Sequence, residues 1–282
     1  RDELGNELRP VQVEIGGWKT ETVTDYSVSS DALEWHLTKG RHTIRMIGQK
    51  EPVALDRIRL MPPPELPAYA DYVKQFRVAE NSDSWFQVYE AEHYARKSDP
   101  GIQTRAYSEP YISPDPKGRI AYNVIGGDRW RKAGEWIEWE IAVPRDGLYE
   151  LELKYLQSFQ GKAGIYRSIA IDGKSPFREM LGYQTPANSH FEIRPIRTED
   201  GKPFLFYLTE GKHTIRLTAD ASPVTPAVYA LQSTLKELRA LDNDLRKITG
   251  NYNMAGLNLD VQRTWEIERY APDISKRIEA AA

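Results

Sequence analysis

Glu90 and Glu92, in the run YEAEHY (89–94), are placed to do acid–base chemistry. On an extended strand, positions i and i+2 share one face about 7 Å apart. That is close to the roughly 6.5–9.5 Å between the carboxyl groups of an inverting glycosidase. Such catalytic carboxylates come from different elements flanking a cleft, so the two glutamates read equally as edge residues paired with Lys or Arg. His42 and His213 recur in two similar segments, each in phase with inward apolar neighbours (Ile44 and Met46; Ile215 and Leu217), which makes them partly buried strand histidines. No Ser-His-Asp arrangement and no phosphate-cradling glycine loop can be assembled. What remains is the chemistry of planar groups: 16 Tyr and 7 Trp on a polar chain suit aromatic contact with the C–H face of a sugar ring. Trp130 leads that set, because IGGDRWRKAG (125–134) is too polar and Gly-rich for a core segment.

The elements that must carry these residues are organised around Lys132–Tyr155. Ile137, Trp139, Ile141 and Val143 share one face of a first alternating run; Tyr149, Leu151, Leu153 and Tyr155 share one face of a second. Period-two alternation means half-buried strands, and Pro144-Arg145-Asp146-Gly147 supplies a turn, so a hairpin is expected. One dry and one wet face is what an antiparallel sandwich needs. Residues 86–94 open this sandwich with a further strand. Upstream, strands are expected at 11–17, 33–37, 42–46 and 53–60, followed by the linker signal Pro62-Pro63-Pro64 and a short helix over 68–79. Downstream, Leu231, Leu235, Leu238, Leu241, Leu245 and Ile248 recur at helical spacing and predict an amphipathic helix over 227–249. A weaker helix with Val261, Trp265, Ile274 and Ile278 follows, interrupted at Pro272.

The chain repeats itself. LTKGRHTIRM (37–46) matches LTEGKHTIRL (208–217) at an offset of 171, and VEIGG (13–17) matches IAIDG (169–173). Self-similarity of this kind outweighs any single propensity. The hairpin has no counterpart in the first copy, so that copy is expected to be the closing part of a sandwich whose opening half lies in a longer parent. The expected division is residues 1–61 as the C-terminal part of a first β-sandwich, 62–84 as linker with short helix, 85–230 as a complete sandwich and 231–282 as a helical segment. The second copy also carries a longer excursion around LGYQTPANSHFEIRP (181–195).

Composition excludes several classes. Charged residues are balanced, with a net charge of −3, which leaves no electrostatic footprint for nucleic acid. No apolar run reaches the ~18 residues of a membrane span. The absence of Cys removes disulfides, thiolate metal sites and a cysteine nucleophile.

Together, YEAEHY (89–94), GEWIEWEIAVPRDGLYELELKY (134–155), IAIDG (169–173) and LTEGKHTIRL (208–217) resemble carbohydrate-binding module families 6 and 35. The resemblance implies a mainly β fold: an antiparallel, galactose-binding-like jelly-roll β-sandwich in one partial and one complete copy, followed by a C-terminal α-helical segment. With the leucine-striped helix, the chain also resembles the non-transport region of large extracellular solute-binding proteins of Gram-positive sugar importers. That implies an extracellular or cell-surface, non-catalytic region that binds an oligosaccharide or polysaccharide. It would be joined to a further domain of the same polypeptide and meet the membrane-embedded importer only indirectly. The family's structural Ca²⁺ implies Glu90 and Glu92 as oxygen ligands, hard donors that suit the ion. Asp56 matches the family's completing Asp in the first copy, whereas Ala227 stands there in the second. Sugar-contacting residues lie on loops at one rim in the family, which here points to Trp130, Tyr122, Asn123, Asp128, Tyr166, Tyr183, Asn188 and His190. The family's ligand-contacting Asn near the last strand is replaced by Thr225-Pro226. Two other readings stay open: an accessory module of a secreted glycoside hydrolase or lyase, and an architectural domain that binds no glycan.

Overall fold

In the computed structural model of the chain, the two alternating runs around Pro144–Gly147 do form strands, but they do not pair with each other. β4 (Trp136–Val143) enters a five-stranded antiparallel sheet with β1 (Arg96–Lys97), β7 (Ile165–Ile171), β8 (Tyr183–Thr185) and β11 (Gly211–Ala219), in the order β1-β4-β11-β7-β8. β5 (Gly147–Glu150) instead pairs with β10 (Leu205–Leu208), and β6 (Glu152–Tyr155) pairs with β9 (Glu192–Pro195). The expected hairpin is therefore an arch that carries the chain from one layer to the other. Alternation fixes which face of a strand is dry, not which strand it pairs with. The β10–β11 connection is a second arch, and Asp146 Oδ1 accepts the Glu210 N–H at 2.6 Å to tie the two together.

The core lies between these layers. Ile169 and Leu217 from the five-stranded sheet meet Phe204, Phe206 and Ile196 from the opposite side, with Phe177 and Met180 between them. A second cluster of Ile102, Ile125 and Ile137 sits under the ribbon of β2 (Thr104–Ala106) and β3 (Tyr122–Ile125). On the outer face of the large sheet Glu138 is buried as well, held between Arg96 and Arg216, and Arg216 stacks 4.0 Å from the Trp136 ring centroid.

The structure describes residues 17–18, 20, 22–25, 32–48, 54–63, 65–76, 85–109, 111–113, 117–118, 120–158, 164–249, 269 and 272–281. The strands expected at 33–37 and 42–46 are not formed, nor is that at 53–60 over its described part. Among the described residues before 64, strand pairing consists of the single bridge Thr24↔Ala32. The expected strand at 11–17 lies outside the described residues, apart from Gly17. Residues 86–94 also differ from expectation: they reach a turn at 91–92, in which the His93 N–H donates to the Glu90 carbonyl.

α1 (Tyr69–Val73) is shorter than the helix expected over 68–79, and it packs into the sandwich core. Tyr69 and Tyr72 contact Phe177, and Phe76 stacks on Tyr207 with ring centroids 4.1 Å apart. The backbone N–H groups of Leu205 and Tyr207 donate to the Tyr69 and Tyr72 hydroxyls at 3.1 and 2.9 Å, which satisfies the open edge of β10 without another strand. α2 (Thr225–Thr249) matches the leucine periodicity, with Leu241 buried and Leu231, Leu235 and Leu238 exposed. α3 (Ile274–Ala281) meets α2 through the Arg277–Asp244 pair; Val261 and Trp265 lie outside the described residues. No described helix is long and apolar enough to cross a membrane.

Candidate functional site

The expected sugar-contacting residues divide between strands (Tyr122 and Asn123 in β3, Tyr166 in β7, Tyr183 in β8) and the loops before β4 and β9 (Asp128, Trp130, Asn188 and His190), and most of them are committed to the protein itself. Trp130 follows a 3-10 turn (Gly127–Arg129) and is partly buried against both hydrophobic clusters. Its indole N–H donates to the Glu135 carbonyl at 2.9 Å, and the Arg167 guanidinium lies 4.3 Å from its ring centroid. One face and the polar edge of the ring expected to meet a ligand are thus already used within the protein. Gly-rich, polar neighbours did not keep Trp130 out of the core, because Gly126 (φ +95°) lets the backbone turn tightly over the ring.

Arg167 explains how so polar a loop folds inward. It donates to the carbonyls of Tyr166 and Trp130 at 2.9 and 3.2 Å. Burial pushes its guanidinium down to about 10, against the opposing effect of Glu135 and Asp220. Glu135 in turn accepts the backbone N–H groups of Arg131 and Lys132 at 3.0 Å. Nothing in the spacing of the sequence marks Arg167.

Asn123 and Asn188 likewise spend their amides on the backbone. Asn123 is buried and clamps Tyr107, accepting its N–H at 3.0 Å and donating to its carbonyl at 3.1 Å. Asn188 accepts the Gln157 N–H at 2.6 Å and donates to the Tyr155 carbonyl at 2.9 Å, pinning the long excursion to the end of β6. The Tyr183 hydroxyl accepts the Arg197 N–H at 3.0 Å while its ring packs on Phe204. Tyr166 is half-buried within β7, where it pairs with Gln184 of β8. Asp128 is exposed and forms an ion pair with Arg105.

Two expected residues do stand free of the core: Tyr122 at the start of β3 and His190 at the tip of the excursion, both exposed. His190 lies against Tyr111, an exposed residue that the sequence reading missed, with ring centroids 5.5 Å apart and planes tilted by 43°. Tyr107 joins this pair to β3, since its ring packs edge-on against Phe191 and its backbone is held by Asn123. Tyr111 sits in PYISP (110–114); an aromatic residue fenced by prolines cannot join a ladder, and that was the available signal. The Tyr111–His190 pair offers a phenol ring and an imidazole to solvent, a surface able to stack on a ring and to hydrogen-bond around it.

Glu90 precedes the turn at 91–92 and Glu92 lies within it, so the shared strand face assumed for them does not exist. The buried Glu92 Oε2 has no hydrogen-bond partner, which an oxygen-seeking cation would remedy. Among the described residues no group of three or more His, Cys, Asp or Glu stands together. Asp220 is engaged with Ser168 and Ser222, and Ala227 lies on α2. Beyond Glu90, a cation held by Glu92 would thus take its other ligands from backbone carbonyls and water.

Residues 226–282 match the family described as the bacterial solute-binding protein 4-helix bundle domain. No curated protein matches the chain. Among solved structures, a Paenibacillus sp. cycloisomaltooligosaccharide glucanotransferase complexed with cycloisomaltoheptaose aligns at 20% identity and TM-score 0.36. The alignment covers 48% of this chain and 16% of that one. A family 35 carbohydrate-binding module from Clostridium thermocellum aligns at 19% identity and TM-score 0.29, over 48% of this chain and 87% of the module. A module of the same family from Cellvibrio japonicus aligns at 16% identity and TM-score 0.26, over 44% and 77%. The chain thus spans only a small part of the glucanotransferase.

Proposed function

We propose that this chain is a non-catalytic carbohydrate-binding region of an extracellular solute-binding protein for sugar uptake, and that glycan meets the sandwich at the exposed Tyr111–His190 rim, with Tyr122 as a further exposed aromatic. The observation that carries this reading is the exposed Tyr111–His190 pair, held on a frame of buried hydrogen bonds through Tyr107 and Asn123. The match of the helical segment to a solute-binding-protein domain supports the transport setting. In that setting the ligand is an oligosaccharide or polysaccharide, and the importer is reached only through the rest of the polypeptide.

Titration calorimetry against a panel of plant and bacterial oligosaccharides tests this. Binding should appear for at least one glycan, and Tyr111→Ala with His190→Ala should weaken it about tenfold or more, equivalent to ~1.4 kcal/mol. A specific observation favours the architectural reading: Asn123, Trp130, Tyr183 and Asn188 all spend their polar groups internally. No heat with any glycan would select it.

Structural calcium at Glu92, with Glu90 as its second carboxylate, belongs to the same proposal and is supported by the orphaned Glu92 oxygen. Chelation should lower the Tm of the wild type and leave Glu92→Gln unchanged. Equal wild-type Tm with and without chelator would sink the calcium site while leaving the glycan reading standing.

A further inference from the structure

At the end of the sandwich opposite the rim, His213 presents both ring nitrogens to groups that can only accept. Nδ1 lies 2.7 Å from Asp172 Oδ2, and Nε2 lies 2.7 Å from the Thr209 carbonyl oxygen. A carboxylate and a carbonyl carry no hydrogen to give, so each contact needs an N–H on the ring, and a ring with both is an imidazolium. The side chain is buried, so water does not substitute for either partner.

Asp172 is tied in by more than the histidine. It occupies the left-handed region (φ +49°), followed by Gly173 at φ +78°, which is the two-residue turn favoured between antiparallel strands. Its Oδ1 accepts the Thr214 N–H at 2.8 Å, and its own N–H donates to the Thr214 carbonyl at 2.9 Å. The carboxylate thus staples the turn after β7 to the start of β11. The same turn leads into Phe177, against which Tyr69 and Tyr72 of α1 pack.

We propose that His213 is a proton-operated latch: charged, it locks the Asp172–Gly173 turn to β11, and deprotonated it releases that turn and loosens the seat of α1. Neutral imidazole has a single N–H, so loss of the proton turns one of the two contacts into a lone-pair repulsion. The charged groups on the surrounding elements are Asp172 and Lys174 of the turn, Glu210 and Lys212 beside His213, Glu140 of β4, and Arg145 and Asp146 of the facing arch. Of these, Asp172 is the one in hydrogen-bond contact with the ring. Burial lowers the histidine's affinity for its proton, but Asp172 and the Thr209 carbonyl outweigh it, so the net direction is up. A group raised on folding contributes its full stability below its ordinary value near 6.5 and loses it as pH rises through the folded value.

The first copy is a built-in control. His42 keeps the Thr38 carbonyl at 2.6 Å, but Gly16 stands in sequence where the second copy has Asp172.

Nitrogen-15 NMR of the imidazoles in the full chain tests the latch. At pH 7 His213 should show two protonated ring nitrogens, with a midpoint raised above the ordinary imidazole value. Asp172→Asn, which retains an acceptor for Thr214, should lower that midpoint by about one unit or more. It should also flatten the fall in Tm between pH 6 and 9. A neutral His213 at pH 7, or a midpoint unmoved by Asp172→Asn, overturns the proposal.

Discussion

LTKGRHTIRM (37–46) and LTEGKHTIRL (208–217) are nearly the same sequence in two different conditions. Their local geometry agrees: the histidine contacts the threonine carbonyl four residues back in each, at 2.6 and 2.7 Å, and the glycine between them is at positive φ in each, +144° and +122°. Everything non-local differs. Phe206 is 1% exposed where its equivalent Trp35 is 58%; Leu208 is 4% where Leu37 is 45%; Leu217 is 7% where Met46 is 58%. In the second copy, 205–208 pairs with β5 and 211–219 pairs with β4 and β7. Both β4 and β5 come from Lys132–Tyr155, which has no counterpart in residues 1–61. The turn closes by itself, and the strand waits for its partner.

The largest expected effect breaks or confirms that contrast directly. Leu217→Ala removes a buried side chain from a ladder and should cost about 2–5 kcal/mol in denaturant unfolding of the sandwich. Met46→Ala, at the equivalent position, removes an exposed one and should stay within about 0.5 kcal/mol. Equal costs would mean that the two copies are buried alike.

A smaller effect concerns charge. Arg45 and Arg216 are equivalent, but only Arg216 has Glu138 beneath it, shared with Arg96. Burial alone would push the Glu138 carboxyl up; the two arginines outweigh it and hold it below the usual range. A depressed carboxyl contributes stability above its unfolded value, near 4.5, and loses it as pH falls through the folded one. Glu138→Gln should therefore cost about 1.5–3 kcal/mol at pH 7. The variant should lose less stability than the wild type on acidification below about pH 5. Parallel acid profiles for the two proteins would remove Glu138 from the account.

The same division between local and non-local explains what could be read in advance. The strand expected at 86–94 did not form, but the strand positions at 136–155 and 211–217 and the leucine stripe of α2 follow from period and turn chemistry, and they were legible. Pairing was not, because Ile137 and Leu151 alternate identically whether their strands form a hairpin or an arch. At the candidate site, Tyr122 and His190 are exposed polar aromatics as their sequence setting suggests, whereas the internal bonds of Trp130 and Asn123 were not legible. Their roles depend on Arg167 and Tyr107, residues distant in sequence whose contacts no spacing reveals.

The edge of β10 gives the finest test of the contrast. An unpaired edge normally invites another strand or is blunted by charge; here two hydroxyls from α1 take the outward N–H groups of Leu205 and Tyr207. The equivalent positions in the first copy, Glu34 and His36, show no comparable cap among the described residues. Tyr69→Phe with Tyr72→Phe keeps the rings in the core and removes only the hydroxyls, so the packing contribution of α1 survives. The expected loss is about 1 kcal/mol for each bond, with faster amide exchange confined to Leu205 and Tyr207. If those amides stayed as protected as before, the rings alone would be covering the edge, and α1 would act by exclusion of water rather than by hydrogen bonding.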